Sequence, residues 1–370
     1  MAILIRPYQE KHEPAVRDFN QRLQASCGDK NLVFFSHAVP RWLANTGDCE
    51  LYHEYFVALD GDVVRGGYAL KWQRFAFADG SIRSVGYYHH PLSEGIIDRT
   101  YASVGGILLR DALSRSPLLY CLGMDGYEHP LPQMLIRLGW SHLLVPFYFR
   151  IVHPFRFLRQ MQALRSSFFS KMMMDVAAFT GAGWLSWKIS RAAKGGSLAD
   201  VSSERVEECL DWTNPLWEEA KSACTLTAVR DDRALRRLYP ASEKHLTRLR
   251  VKRGQQTAGW AVVGERRTDA KYGDMRVGSV VDCWALPGDE RAVIQAAIEV
   301  LEAQGMDLIV SNQSHQAWRR ALAEAGCFEA KSNFVFAASK KLAEMLQPFE
   351  ESRQKMHFTR ADGDGLPRNY

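Results

Sequence analysis

The chain runs twice through nearly the same order of structural elements, and this repeat constrains its fold more than any single motif does. In the first pass a strand-like "AILIRPY" leads to an amphipathic helix at "EPAVRDFNQRLQAS". Two β-rich runs within "LYHEYFVALDGDVVRGGYAL" then meet at Asp60-Gly61-Asp62, residue types that favour a hairpin turn. A further strand pair spans "FADGSIRS", "SVGYYHHPLSEG" follows, and a glycine-led helix is predicted over 104–115. A strand at "LLYCLGM", a helix at "LPQMLIRLGW" and a last strand at "LLVPFYFRIV" close the pass.

The second pass opens with helices over 201–240, then strands at "LTRLRVKR", "AGWAVVGERR" and "RVGSVVDCWAL". Next, "DERAVIQAAIEVLEAQG" places Val293, Ala296, Ala297, Val300 and Leu301 at helical spacing between Asp289 and Gly305. Strand "DLIVSNQ", helix "HQAWRRALAEAGC" and strand "SNFVFAAS" complete it. Alternating strands and helices, repeated in a chain of 370 residues, predict two tandem α/β (α+β) domains with mixed sheets. The expected boundaries are 1–152 for the first domain, 153–197 for a linker, 198–346 for the second domain and 347–370 for a polar tail.

The linker holds the charge. Between Arg150 and Lys194 lie eight basic residues and one acidic residue, Asp175, a local surplus larger than the net +5 of the whole chain. Phe155, Phe157, Phe168, Phe169, Met172, Trp184 and Trp187 are interleaved with them. Two readings follow: a helical linker packed between domains with its arginines solvated, or an interfacial helix on an anionic membrane surface. The apolar stretch from Met172 to Trp187 is shorter than the ~20 residues that span a bilayer. No nucleic-acid-binding motif accompanies the basic residues.

Seven scattered cysteines without a C-x-x-C pair suggest neither a zinc site nor a disulfide framework, and read as thiols in a reducing compartment. The opening residues carry no apolar signal region, so a cytoplasmic protein is expected, peripheral at the inner face of the membrane if the linker docks there. In the tail, Asp362-Gly363-Asp364-Gly365 lacks the frame of a calcium loop, and an extension folding back on the domains, or a flexible end, is expected instead. Ser103-Val104-Gly105-Gly106 opens the helix at 104 either as a cradle for a phosphate or as a plain helix start.

The order of elements in both halves, with the endings "LIRLGW" and "LAEAGC", resembles the GNAT acyltransferase superfamily, and the tandem arrangement resembles the Fem-type aminoacyl transferases. In the GNAT superfamily a Q/R-x-x-G-x-G/A loop binds the coenzyme A pyrophosphate through backbone amides. Aligned on its helix, this chain offers Thr100-Tyr101-Ala102-Ser103-Val104-Gly105, of which the final glycine alone matches. The resemblance implies an acyl-CoA donor, acetyl-CoA or a longer chain, at Ser103, Val104, Gly105 and Gly106. In the second half, Asp289 and Glu290 stand at the corresponding turn and would repel a phosphate, so the donor is expected in the first half.

Acyl transfer needs a base for the acceptor proton and an acid for the leaving thiolate. His89, His90 or Glu94 is the expected base and Tyr148 the expected acid. Strand alternation puts Tyr88 and His90 on one side, Tyr87 and His89 on the other. Asp125, Glu128 and His129, after the strand "LLYCLGM", and Asp282, Asn312 and His315 in the second half are expected to bind the acceptor; Ser314 is a candidate helix cap. No metal site is expected. Three functions remain open: transfer from acyl-CoA to a small-molecule, glycan or lipid-linked amine or hydroxyl; Fem-like transfer from a charged RNA; and noncatalytic binding.

Overall fold

A computed structural model describes residues 3–27, 32–160, 200–266 and 274–363. Along the chain come β1 (Leu4–Pro7), α1 (Glu13–Cys27), β2 (Leu51–Asp60), β3 (Val63–Phe77), β4 (Ile82–Ser93), α2 (Val104–Arg115), β5 (Leu119–Gly123), α3 (Pro130–Arg137), β6 (Ser141–Leu144), β7 (Phe147–Ile151) and α4 (Pro154–Gln160). Then follow β8 (Val201–Val206), α5 (Thr213–Ala220), β9 (Leu226–Ala228), α6 (Asp232–Leu238), β10 (Leu246–Arg253), β11 (Gln256–Arg266), β12 (Val277–Ala285) and α7 (Glu290–Ala303). The chain continues through β13 (Leu308–Asn312), α8 (Gln316–Glu324), β14 (Phe328–Ala330), β15 (Val335–Ala338), α9 (Lys340–Met345), α10 (Phe349–Ser352) and β16 (Met356–His357). The mixed α/β class and the helix at 104–115 match the sequence reading. The helices expected from 201 onward begin later, because Val201–Val206 pairs antiparallel with β10 as an edge strand whose polar side chains stay in solvent.

Two compact units form, but they do not divide the chain in succession. One comprises Met1–Ala76, Ser81–Leu143 and Val335–Phe349; the other comprises Phe77–Gly80, Leu144–Phe334 and Glu350–Tyr370. The boundaries expected near 152 and 346 are corrected accordingly. The run "LLVPFYFRIV" breaks at Pro146, which has no N–H to continue a ladder. Its first part, β6, stays in the first unit's sheet, whereas β7 pairs with β13 and β14 in the second. Conversely β15, expected to complete the second half, pairs antiparallel with β5 of the first. An open parallel edge such as β5 or β13 accepts either strand, so local pattern did not distinguish them.

In the first unit the strands run in the order β1-β2-β3-β4-β5-β15-β6. Strands β4 and β5 are parallel at Gly86↔Leu119 and Tyr87↔Tyr120 and part beyond that point, leaving a fork. Helix α2 bridges them and buries Val104, Leu108, Leu109 and Ala112 in a cluster with Tyr68, Tyr88 and Leu119. Truncating one of these leucines to alanine costs roughly 2–5 kcal/mol. The second unit has the order β14-β7-β13-β12-β11-β10-β8 and a matching fork, where β12 and β13 part after Val280↔Ser311. There α7 buries Ala292, Val293, Ile294, Ala297 and Leu301.

Helix α4 starts the basic segment, with Arg156 Nη1 3.3 Å from Asp307 Oδ1. The remainder of that segment, 161–197, lies outside the described residues. Among the described residues no helix is long and apolar enough to cross a membrane.

Candidate active site

Strand register gathers a set of polar side chains on one face of the first unit's sheet. Lys71 of β3 stands opposite His53 of β2 and Tyr87 of β4, and Ala69 stands between Tyr55 and His89 in the next row. Alternate residues share a face, so His53, Tyr55, Lys71, Tyr87 and His89 all project to the same side. His89 Nε2 lies 3.1 Å from His53 Nδ1, and the Tyr87 ring stacks on His89 at 4.8 Å between centroids. Tyr87 donates its hydroxyl hydrogen to the Leu122 carbonyl on β5, 2.7 Å away, which ties the row to the fork. Lys71 Nζ sits 5.4 Å from the centre of the Tyr87 ring. All five residues are buried. Burial, reinforced by His53, His90 and Lys71 nearby, pushes the His89 pKa well below the ordinary histidine value, so the ring is neutral at pH 7.

The alternation expected along β4 holds for Tyr87 and His89 on one face and for Tyr88 on the other, where it packs against Tyr68 beneath α2. It fails at His90. Gly67 pairs with Leu92 and Ala69 with His89, so one residue of β3 faces two of β4, His90 and Pro91. This is a β-bulge, and His90 adopts a left-handed φ of 52° within it. The bulge turns the His90 ring to the His89 side, where it lies 5.0 Å from Phe35, whose own ring is stacked on Tyr55 at 4.1 Å. The Nε2 of His90 is 2.6 Å from the Val33 carbonyl. A carbonyl only accepts, so this contact places a proton on Nε2.

Glu94 is not placed to take a proton. Its carboxylate is buried and receives Arg22 at 2.7 Å and Arg65 at 2.9 Å. Burial raises its pKa, but hydrogen bonds and charge from the two guanidiniums outweigh that and hold it below the usual carboxylate value. Tyr148, the expected acid, belongs to the second unit, where its hydroxyl donates to Glu329 at 2.5 Å and receives Arg319 at 3.3 Å. Strand β7 took it there.

At the start of α2 the Ser103 carbonyl accepts the Ile107 N–H, so the amides of Val104, Gly105 and Gly106 belong to the first turn, which has no intrahelical acceptors. The Ser103 side chain caps nothing. A Cβ added to Gly105 or to Gly106 would meet no atom within 4 Å. Neither glycine has a positive φ, so neither turn geometry nor packing accounts for two residues that each weaken a helix by about 1 kcal/mol.

The remaining candidates are dispersed. Asp125 sits in a left-handed turn, Gly123 to Gly126, that ends β5, and Glu128 and His129 are exposed ahead of α3. In the second unit Asp282 accepts from Arg230, Tyr239 and Thr359, Asn312 accepts from Arg360, and His315 caps α8 by accepting the Ala317 N–H. Ser314, the expected cap, instead donates to the Met356 carbonyl. Hydrogen bonds within the unit thus occupy the acceptor-site residues expected there. At the second helix start Asp289 binds Arg253 and Glu290 accepts the Gly288 N–H. Among the described residues no group of three or more His, Cys, Asp or Glu side chains is placed to hold a metal ion.

Sequence reasoning missed His53 and Lys71. Alternation in "LYHEYFVALD" shows that His53 and Tyr55 share a face, but the register that sets them beside β4 is a property of the sheet.

No family model matches this sequence, and no curated protein matches it. Solved structures do match its fold. A protein of unknown function from Enterococcus faecalis, described as a probable N-acyltransferase, is 9% identical with a TM-score of 0.51, over 94% of this chain and 75% of that one. Saccharomyces cerevisiae N-myristoyltransferase with bound myristoyl-CoA is 9% identical with a TM-score of 0.51, over 92% and 79%. A GCN5-related N-acetyltransferase from Anabaena variabilis is 10% identical with a TM-score of 0.53, over 91% and 72%. The likeness to these N-acyltransferase structures is one of fold.

Proposed function

We propose that the protein is an acyltransferase whose first unit takes an acyl-CoA donor at the start of α2 and transfers its acyl group to an amine or hydroxyl acceptor in the fork between β4 and β5. The observation that carries this reading is the open space at Gly105 and Gly106, on a helix start where unpaired amides and the helix dipole favour an anionic phosphate. Asp289 and Glu290 oppose the same use of α7.

In this reading His90 is the base. It lies at the bulge beside the fork, and Val33 holds its proton on the far nitrogen. Nδ1 takes the acceptor proton as the nucleophile bonds to the thioester carbon, the carbon–sulfur bond breaks, and the proton passes to the departing thiolate. His89 and His53 form a buried pair behind this ring. The acceptor in this reading is a small-molecule, glycan or lipid-linked amine or hydroxyl. An anionic membrane surface remains the proposed docking partner of 153–197, for which binding to anionic liposomes at low salt is the test.

Calorimetric titration with acetyl-CoA and a long-chain acyl-CoA tests the donor. Binding by the parent, with loss in a folded Gly105→Asp, Gly106→Asp variant, supports the reading. No binding of either donor overturns it and leaves the charged-RNA donor and noncatalytic binding.

A further inference from the structure

The fork of the second unit is filled by the chain's own C-terminal segment. Met356 and His357 pair in parallel with Leu226 and Thr227 of β9. The Phe358 N–H donates to Ser314 Oγ at 2.7 Å, and the Ser314 N–H donates to the Phe358 carbonyl at 3.2 Å. Arg360 reaches Asn312 at 2.8 Å on β13, and Thr359 donates to Asp282 at 3.1 Å on β12. Residues 356–362 thus bridge the two strands where they part, the place at which open α/β sheets take ligands. Arg230 anchors the far end through Asp362 at 2.8 Å and Asp282 at 3.0 Å.

His357 seats the near end. Its ring is completely buried between Trp284 of β12, 5.3 Å away, and Trp318 of α8, stacked at 5.7 Å. Among the described residues neither ring nitrogen has a hydrogen-bond partner. The titratable and charged groups around it are His315 at the start of α8, 6.4 Å away, and Arg230. The carboxylates nearest Arg230, Asp282 and Asp362, are already bound to it. Among the described residues no anion is therefore in place to receive a charge on His357.

We propose that residues 356–362 are an acid-released strap, with His357 as its sensor, which closes the second unit's fork at neutral pH and opens it when His357 is protonated. Burial, with Arg230 and His315 adding to it, pushes the His357 pKa well below its ordinary value. The released strap regains an ordinary histidine pKa of about 6.5, so it binds the proton more readily than the seated one. The seated state is thus fully favoured above that pH and loses ground as the pH falls below it, by roughly tenfold per pH unit for one proton.

Amide hydrogen exchange on the full chain, at about pH 7.5 and about pH 5.5 on either side of the histidine range, tests this. After correction for intrinsic rates, protection at Phe358 and Thr359 is expected to fall by roughly tenfold at the lower pH relative to Val280 and Val281 of β12. His357→Gln and His357→Phe, both unable to titrate, should abolish the fall. The proposal is overturned if strap and β12 amides exchange in step at both pH values, or if the variants keep the acid response. No donor is used, so the outcome is independent of the acyl-transfer reading.

Discussion

His89 Nε2 lies 3.1 Å from His53 Nδ1 across 36 positions of sequence, joined only because β2, β3 and β4 align His53, Lys71 and Tyr87 in one row. This contact separates the roles of the two adjacent histidines. His89 is committed to a buried pair, whereas His90 is turned by the bulge to the edge of the fork.

With an acyl-CoA donor and an accepted nucleophile, His90→Gln should lower kcat by roughly 10²–10⁴-fold, the range of a lost general base. His89→Gln should leave more activity and act mainly on stability. The neutral buried His89 contributes stability that is present above the ordinary histidine pKa and lost as the pH falls, so the variant should show a shallower acid limb in thermal unfolding. Equal losses of kcat in the two variants would remove the distinction.

Gly105→Ala with Gly106→Ala separates a cradle from a plain helix start. Since an added Cβ meets nothing, each alanine should stabilise the first unit by about 0.5–1 kcal/mol in denaturant unfolding. Donor affinity measured by calorimetry should fall in the same protein. Stabilisation without loss of affinity would leave the glycines without a role in donor binding.

Glu94→Gln should destabilise the first unit by about 3 kcal/mol, because Arg22 and Arg65 lose their partner in a buried setting. The depressed Glu94 pKa gives stability that is present above the ordinary carboxylate pKa and lost as the pH falls below it. Urea titrations at several acidic pH values should show that loss in the parent and a flatter dependence in the variant.

Tyr148→Phe should leave acyl transfer unchanged and cost about 1 kcal/mol, the worth of its hydrogen bond to Glu329. A steady-state assay beside a melting curve checks both. A large fall in kcat with an intact fold would restore Tyr148 as the acid.

The sequence alone determined what depends on neighbours in the chain. Periodicity located α2 and α7, Asp60-Gly61-Asp62 located the β2–β3 turn, and the repeat of element order predicted two mixed-sheet units. Asp289 and Glu290 at the start of α7, with no carboxylate from 99 to 110 around the start of α2, are why the first unit is the one proposed to take the donor. Tertiary structure decided the rest. Pairing between distant strands sent β7 and β15 to opposite sheets, placing Tyr148 in the second unit's sheet, and one extra residue at the bulge reversed the face of His90. The side-chain period of a strand is two, so a single-residue shift exchanges its faces, and the register that sets it comes from strands remote in the chain. The same holds for Arg230, which binds Asp282 and Asp362 from 52 and 132 positions away. No local pattern encodes such a contact, because the folded sheet creates the buried space in which it forms.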